Sequence, residues 1–175
     1  MPADDPVTIG VAIAVPEPWG AQLQDYRAAL GDETARGIPT HITLAPPCAL
    51  PAATLPDVEQ HLCEAARAHD AFDVHLRGTG TFRPVSPVVF VALASGISAC
   101  EQLATSVRSG PLDVKAEFPY HPHVTVAHDL DEATLSQAFD ELAGFEARFF
   151  VSRFSLYRHE VVEGWVPTRH FRLAG

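Results

Sequence analysis

The apolar positions of this chain change period several times, and each change predicts an element. From Val7 to Val15 nearly every residue is apolar or β-branched, as in a strand covered on both faces, and Pro16 closes it. Trp19, Leu23, Tyr26 and Leu30 then recur at helical spacing behind Pro18, with Gly31 as the C-terminal cap. A polar turn, Asp32 to Pro39, leads into a short strand, which Pro46-Pro47 bars from a sheet interior. Leu55, Val58, Leu62, Ala65 and Ala66 mark a second helix, capped by Thr54 with Asp57, whose His61 and His69 are expected on the solvated face. Phe72 to Phe82 alternates as a strand containing His75, and Gly78 and Gly80 point to a bulge or a close backbone approach.

The second half runs through the same order. Pro87 to Ala94 is another continuous apolar strand, and Ser98 with Glu101 predicts a capping box for a helix bearing Ile97, Cys100, Leu103, Ala104 and Val107, ended by Gly110-Pro111. A second short strand follows. Next comes a helix capped near Asp131 with Leu135, Ala138, Phe139 and Leu142 inward, then two long strands, Phe145 to Arg158 and Val161 to Leu173. Aligning Val7 with Val88, Pro18 with Ile97 and His41 with His123 gives offsets of 81, 79 and 82; Pro56 with Asp131 and Phe72 with Phe145 give 75 and 73. This reads as duplication of a strand-helix-strand-helix-strand unit within one two-lobed domain, with repeats near residues 7–84 and 86–173 and strand exchange between lobes left open.

The two short strands carry the chemistry. His41-Ile42-Thr43-Leu44-Ala45 and His123-Val124-Thr125-Val126-Ala127 both read His, apolar, Thr, apolar, Ala, each after a proline-containing approach. Alternation puts each imidazole beside a hydroxyl on one face and the apolar residues on the other. Two such strands facing each other across a lobe junction would form a paired-histidine site. With an unperturbed pKa of about 6.5, one imidazole serves as base while the other serves as acid, the pairing needed for in-line attack at phosphorus. The threonine hydroxyls would donate to non-bridging oxygens.

Composition narrows the partners. With 12 Lys+Arg against 22 Asp+Glu the formal charge is −10, which argues against a broad grip on duplex DNA or an anionic membrane. Cys48, Cys63 and Cys100 are an odd set without C-x-x-C spacing, so neither a disulfide framework nor a thiolate zinc site is indicated, and a reducing cytoplasm fits. No apolar run approaches a membrane span. His121 and His123 stand two apart on one strand face and, with His41, would supply three imidazoles to a metal, so a metal-dependent hydrolase is one alternative. A non-catalytic nucleotide-binding module is another.

The paired His-x-Thr-x motifs, the opening apolar strand, the run Phe82 to Leu93 and the closing Leu156-Tyr157 with Trp165 resemble the two-histidine phosphoesterase superfamily. The resemblance is to its branch of 2'-5' RNA ligases and RNA 2',3'-cyclic phosphodiesterases. It implies an α+β bilobal duplicated fold, with two antiparallel sheets flanked by helices around a central cleft of pseudo-two-fold symmetry. It also implies His41 and His123 as the acid/base pair, Thr43 and Thr125 as phosphate ligands, and no metal or other cofactor. The implied substrate is a small nucleotide or an RNA-terminal cyclic phosphate, handled by a monomer, with 2'-5' ligation as the reverse reaction. Relatives active on RNA often carry an arginine five residues after the second motif histidine; here that position is His128, a titrating and weaker clamp. Further candidate contacts are Tyr120, Tyr157 and Trp165 for stacking and Arg83, Arg153 and Arg158 for phosphate.

Overall fold

The computed structural model describes residue 2, residues 4–113 and residues 118–175. Its element order is β1 (Pro6–Ala14), α1 (Trp19–Ala29), β2 (His41–Pro51), α2 (Leu55–Arg67), β3 (Phe72–Thr81), β4 (Val88–Ser95), α3 (Ile97–Val107), β5 (His123–His128), α4 (Glu132–Glu141), β6 (Glu146–Val151), β7 (Arg153–Glu160) and β8 (Gly164–Arg172). The strands form two four-stranded antiparallel sheets in the orders β2-β1-β7-β8 and β5-β4-β3-β6. This is the bilobal α+β architecture with duplicated halves that the sequence predicts.

Each sheet is built partly from the other half of the chain. β3 pairs with β4 in the second sheet, while β7 and β8 return to complete the first. Phe72 and Phe145, aligned at an offset of 73, therefore begin strands that are neighbours in one sheet rather than counterparts; the strand that occupies β3's place in the first sheet is β7. The long strand predicted from Phe145 to Arg158 is two strands, broken at Ser152 where the chain changes sheets. The inward residues of β6 are odd-numbered, Ala147 and Val151, whereas those of β7 include the even-numbered Phe154 and Leu156, both at most 1% exposed. That slip of phase is the trace the crossover leaves in the sequence.

The helices cover one face of each sheet. α2 packs on β7 and β8 and α3 on β2, while α4 packs on β3, β4 and β5 and α1 on β5. The inward residues of all twelve elements join in one core, including Ile9, Ile13, Leu23, Ile42, Leu44, Leu62, Leu103, Leu135 and Phe154. Gly31, at φ +97°, ends α1 as predicted, because the left-handed region is open to glycine. Asp131 caps α4 by accepting from the Thr134 N–H at 2.7 Å. The other two predicted caps are absent: α2 begins without a side-chain cap at Thr54, and α3 begins from Gly96 at φ +91°, one turn ahead of Glu101.

Two histidines differ from expectation, while His75 lies in strand β3 as expected. His61 bonds the Val107 carbonyl at 3.1 Å and His69 the Ser106 hydroxyl at 2.7 Å, so both bridge α2 to α3 instead of facing solvent. His75 bridges β3 to β6 through Glu146 at 2.7 Å.

Candidate active site

The two His/Thr strands are built alike. In β2, His41 and Thr43 are half-buried while Ile42 and Leu44 are fully buried, and β5 repeats the pattern with His123, Thr125, Val124 and Val126. Both strands also bulge at the same point. Thr43 pairs with Ala12 but Ala45 with Val11, leaving Leu44 extra; Thr125 pairs with Phe90 but Ala127 with Val89, leaving Val126 extra. Such a bulge bends its strand and re-aims the side chains around it. Pro46 and Pro47 fall in a further irregularity between the Ala45 and Cys48 pairings, so β2 runs on to Pro51, as an outermost strand can.

β2 and β5 are in contact where the two sheets meet. Each catalytic candidate is anchored in the same way: His41 Nδ1 lies 2.6 Å from the Pro39 carbonyl and His123 Nδ1 lies 2.7 Å from the His121 carbonyl. A carbonyl only accepts, so both Nδ1 atoms carry the proton. The neutral ring then presents an unprotonated Nε2, and the charged ring presents an Nε2–H. Burial lowers both pKa values from the ordinary imidazole value, partly opposed by the carbonyl bond; for His41 the Arg27 guanidinium lowers it further, and for His123 the His121 and His41 rings do.

Two cavities adjoin at Thr43. One, of about 90 Å³, holds His41 with Gly10, Ala12, Tyr157 and Trp165. The other, of about 770 Å³, holds His123 and His121 with Phe82, Phe118, Tyr120 and Arg108. The walls are unlike in chemistry because cross-strand partners of the two threonines differ: Ala12 stands beside Thr43, whereas the aromatic Phe90 stands beside Thr125. Phe82 and Phe90 pack ring on ring at 4.6 Å, and both lie edge-on or tilted to His123 at 5.0 and 5.2 Å. Gly80 makes this possible, since a Cβ there would stand 2.6 Å from the Phe90 ring.

The remaining predicted residues divide. Tyr120 lies in the cleft and donates its hydroxyl to the Thr43 carbonyl at 2.7 Å, tying the approach to β5 onto β2. Tyr157 and Trp165 line the His41 cavity. Thr125 shares the His123 face of β5. Arg83 is committed to α4 through Glu132 and Ser136, both at 3.1 Å. Arg158 pairs with Ile9, on the helix-covered side of β7 opposite Tyr157, and bonds Glu160 at 3.1 Å. His128 is exposed at the end of β5 and faces Asp129 at 3.4 Å. Among the described residues no three His, Cys, Asp or Glu side chains converge to hold a metal ion; His121 packs against Phe82 and Phe90 rather than joining His41 and His123 as a ligand set.

Arg108 was not foreseen. It follows α3, outside both motifs, yet its Nε donates to the Leu44 carbonyl at 2.7 Å and its guanidinium lies 4.9 Å over the Tyr120 ring. It lines the larger cavity with Thr43 and His123. A basic residue just past the end of a helix reads as a dipole contact, which hid it.

Comparison with known proteins agrees with this geometry. The sequence model of the 2'-5' RNA ligase superfamily matches residues 15–163. Relatives provisionally named phosphoesterases include one from Oceanobacillus iheyensis, 28% identical over 138 residues covering 78% of this chain and 81% of its own. Another, from Staphylococcus haemolyticus, is 26% identical over 171 residues covering 96% and 100%. The fold superposes on E. coli LigT complexed with 3'-AMP (TM-score 0.71, 21% identity, 98% of this chain and 100% of that one). It also superposes on TT0787 of Thermus thermophilus (TM-score 0.66, 25% identity, 96% and 98%). The match over most of the chain, the duplicated two-sheet fold and the paired motifs together establish that this chain belongs to the 2'-5' RNA ligase superfamily of two-histidine phosphoesterases.

Proposed function

We propose that the protein is a metal-independent cyclic phosphodiesterase that opens a 2',3'-cyclic phosphate by general acid/base catalysis at His41 and His123. The observation that carries this is the identical tether of the two rings, each holding Nδ1–H on a main-chain carbonyl and freeing Nε2 for proton transfer. One Nε2 takes a proton from the attacking water as its oxygen bonds to phosphorus; the other gives a proton to the departing 3'-oxygen, leaving a 2'-phosphate. In ligation a ribose 5'-hydroxyl replaces water as the nucleophile, the two rings keep these roles, and a 2'-5' linkage forms; the roles exchange when the 3'-hydroxyl attacks that linkage and expels the 5'-oxygen. Thr43 and Thr125 donate to the non-bridging oxygens, and Arg108 brings the permanent positive charge that His128 does not bring.

A cavity of about 770 Å³ walled by Phe82 and Phe118 suits a nucleotide. LigT, whose fold this chain shares, has been crystallised with 3'-AMP, ATP and NADP+. Nucleoside 2',3'-cyclic phosphates are therefore the first substrates to assay, with phosphorus NMR to identify the product. Turnover should survive a strong chelator. His41→Asn and His123→Asn should each lower kcat by roughly 10²-fold or more, the ordinary contribution of a general acid or base. Full activity in either folded variant would sink the mechanism.

A further inference from the structure

The cleft side of the first sheet continues beyond the reacting centre. Strand register sets Thr43, Ala12, Ser155 and His170 side by side across β2, β1, β7 and β8, so the four share one face. Strands lie about 4.8 Å apart, which puts the Ser155–His170 rung roughly 10–14 Å from Thr43. Two residues further along the same face, Arg153 on β7 stands directly opposite Arg172 on β8. A cavity of about 220 Å³ opens beside this rung, lined by Ala14, Ser152, Arg153, Ser155 and Phe150.

Folding alone gives no reason for this arrangement. Like charges directly opposite in an antiparallel pair are destabilising. The chain has acidic residues in excess, 22 against 12 basic, and Arg27, Arg36, Arg83, Arg148, Arg158 and Arg169 all pair with Asp or Glu. Among the described residues Arg153 and Arg172 form no ion pair, nor do Arg67, Arg77 and Arg108, but Arg153 and Arg172 face each other across paired strands. Beside them, Ser155 is only 3% exposed and its hydroxyl lies 2.6 Å from His170 Nδ1. Tyr157, two residues on and on the same face of β7, lines the His41 cavity. Arg153 and Arg172 thus stand on the cleft face of the sheet, one same-face step from the Ser155–His170 pair.

We propose that Arg153, Arg172 and His170 form a second anion subsite that holds a phosphate of the substrate other than the one that reacts. Resting on the cyclic phosphodiesterase reading above, the subsite predicts a preference for a nucleotide carrying a further phosphate over a mononucleoside cyclic phosphate. That phosphate has two chemical sources, the internucleotide linkage of an oligonucleotide end or the diphosphate bridge of a dinucleotide-like molecule. Guanidinium forks suit either, being always charged and matched to phosphate oxygens.

The test compares three substrates: a nucleoside 2',3'-cyclic phosphate, a dinucleotide ending in a 2',3'-cyclic phosphate, and ADP-ribose cyclic phosphate. Wild type should favour one or both of the last two, and the favoured one identifies the source. In the Arg153→Gln/Arg172→Gln double variant that preference should fall by tenfold or more, chiefly through KM, and high salt should weaken it in wild type. The double variant should melt no lower than wild type, since it removes a like-charge contact. Equal activity losses on all three substrates, or an unchanged preference, would overturn the subsite. Titration calorimetry with a non-cyclised dinucleotide 3'-phosphate separates this from failure of the catalytic reading: affinity should drop about tenfold in the double variant whether or not any cyclic phosphate is turned over, and unchanged affinity rejects the subsite by itself.

Discussion

The Tyr120 hydroxyl donates to the main-chain carbonyl of Thr43 at 2.7 Å, so the segment leading into one motif strand is fastened to the backbone of the other. Arg108 seals the same junction from above, bonding the next carbonyl, Leu44, while lying over the Tyr120 ring. The spacing of the two lobes at the phosphorus site rests on these contacts. Tyr120→Phe keeps the ring and loses the tie. We expect a stability loss of about 1 kcal/mol, the typical net value of one hydrogen bond, and a fall in kcat larger than any change in KM. Chemical denaturation beside steady-state kinetics checks both.

Arg108→Lys tests the other half of the junction. Lysine keeps a charge but cannot hold the Leu44 carbonyl through one nitrogen while presenting a planar pair of donors to phosphate. Loss of a charged hydrogen bond predicts roughly a tenfold or greater drop in kcat/KM, with Arg108→Ala falling further. An Arg108→Lys variant indistinguishable from wild type would leave Arg108 with a purely structural part.

Gly80→Ala targets the aromatic wall. The new methyl would meet the Phe90 ring at 2.6 Å, and Phe90, itself 6% exposed, has little room to retreat. Overpacking of this kind costs about 1–3 kcal/mol. Because Phe90 leans on His123, activity should fall as well, and a compensating Phe90→Leu should restore part of the stability.

Acidity should act on rate and stability through the same two rings. Burial lowers both pKa values, so the base gains its lone pair earlier as pH rises and the acid loses its proton earlier too. The kcat/KM profile should be a bell whose centre lies below the unperturbed imidazole value of about 6.5. Stability follows the opposite bookkeeping of protons. As pH falls through about 6.5 the unfolded chain binds protons at these sites before the folded chain does, so unfolding free energy declines and levels off below both depressed values. His41→Gln should flatten part of that decline in denaturant melts between pH 5 and 8, a range bracketing the unperturbed value. An activity optimum on the alkaline side would contradict the assignment.

Much of this molecule is legible along the chain because its signals are local. Alternation in β2 and β5, the glycine ending α1, the Asp131 cap and the paired His-x-Thr runs depend on residues two to four apart, and all appear where the spacing puts them. The prolines after Ala45 likewise announce an outer strand. What tertiary structure alone decided is which distant segments meet. Nothing near Ser152 says that β6 and β7 belong to different sheets beyond a slip in the phase of the apolar residues, and pairing partners are chosen by burial in three dimensions. The same holds for Arg108, brought to Leu44 and Tyr120 by the docking of α3 on β2, and for His61 and His69, drawn from an expected solvent face into bonds with α3. The chemically unlike walls of the cleft come from one cross-strand choice, Ala12 against Thr43 and Phe90 against Thr125. A side chain's chemistry is written in its own residue, but its neighbours across a sheet are set only when the chain has closed its core.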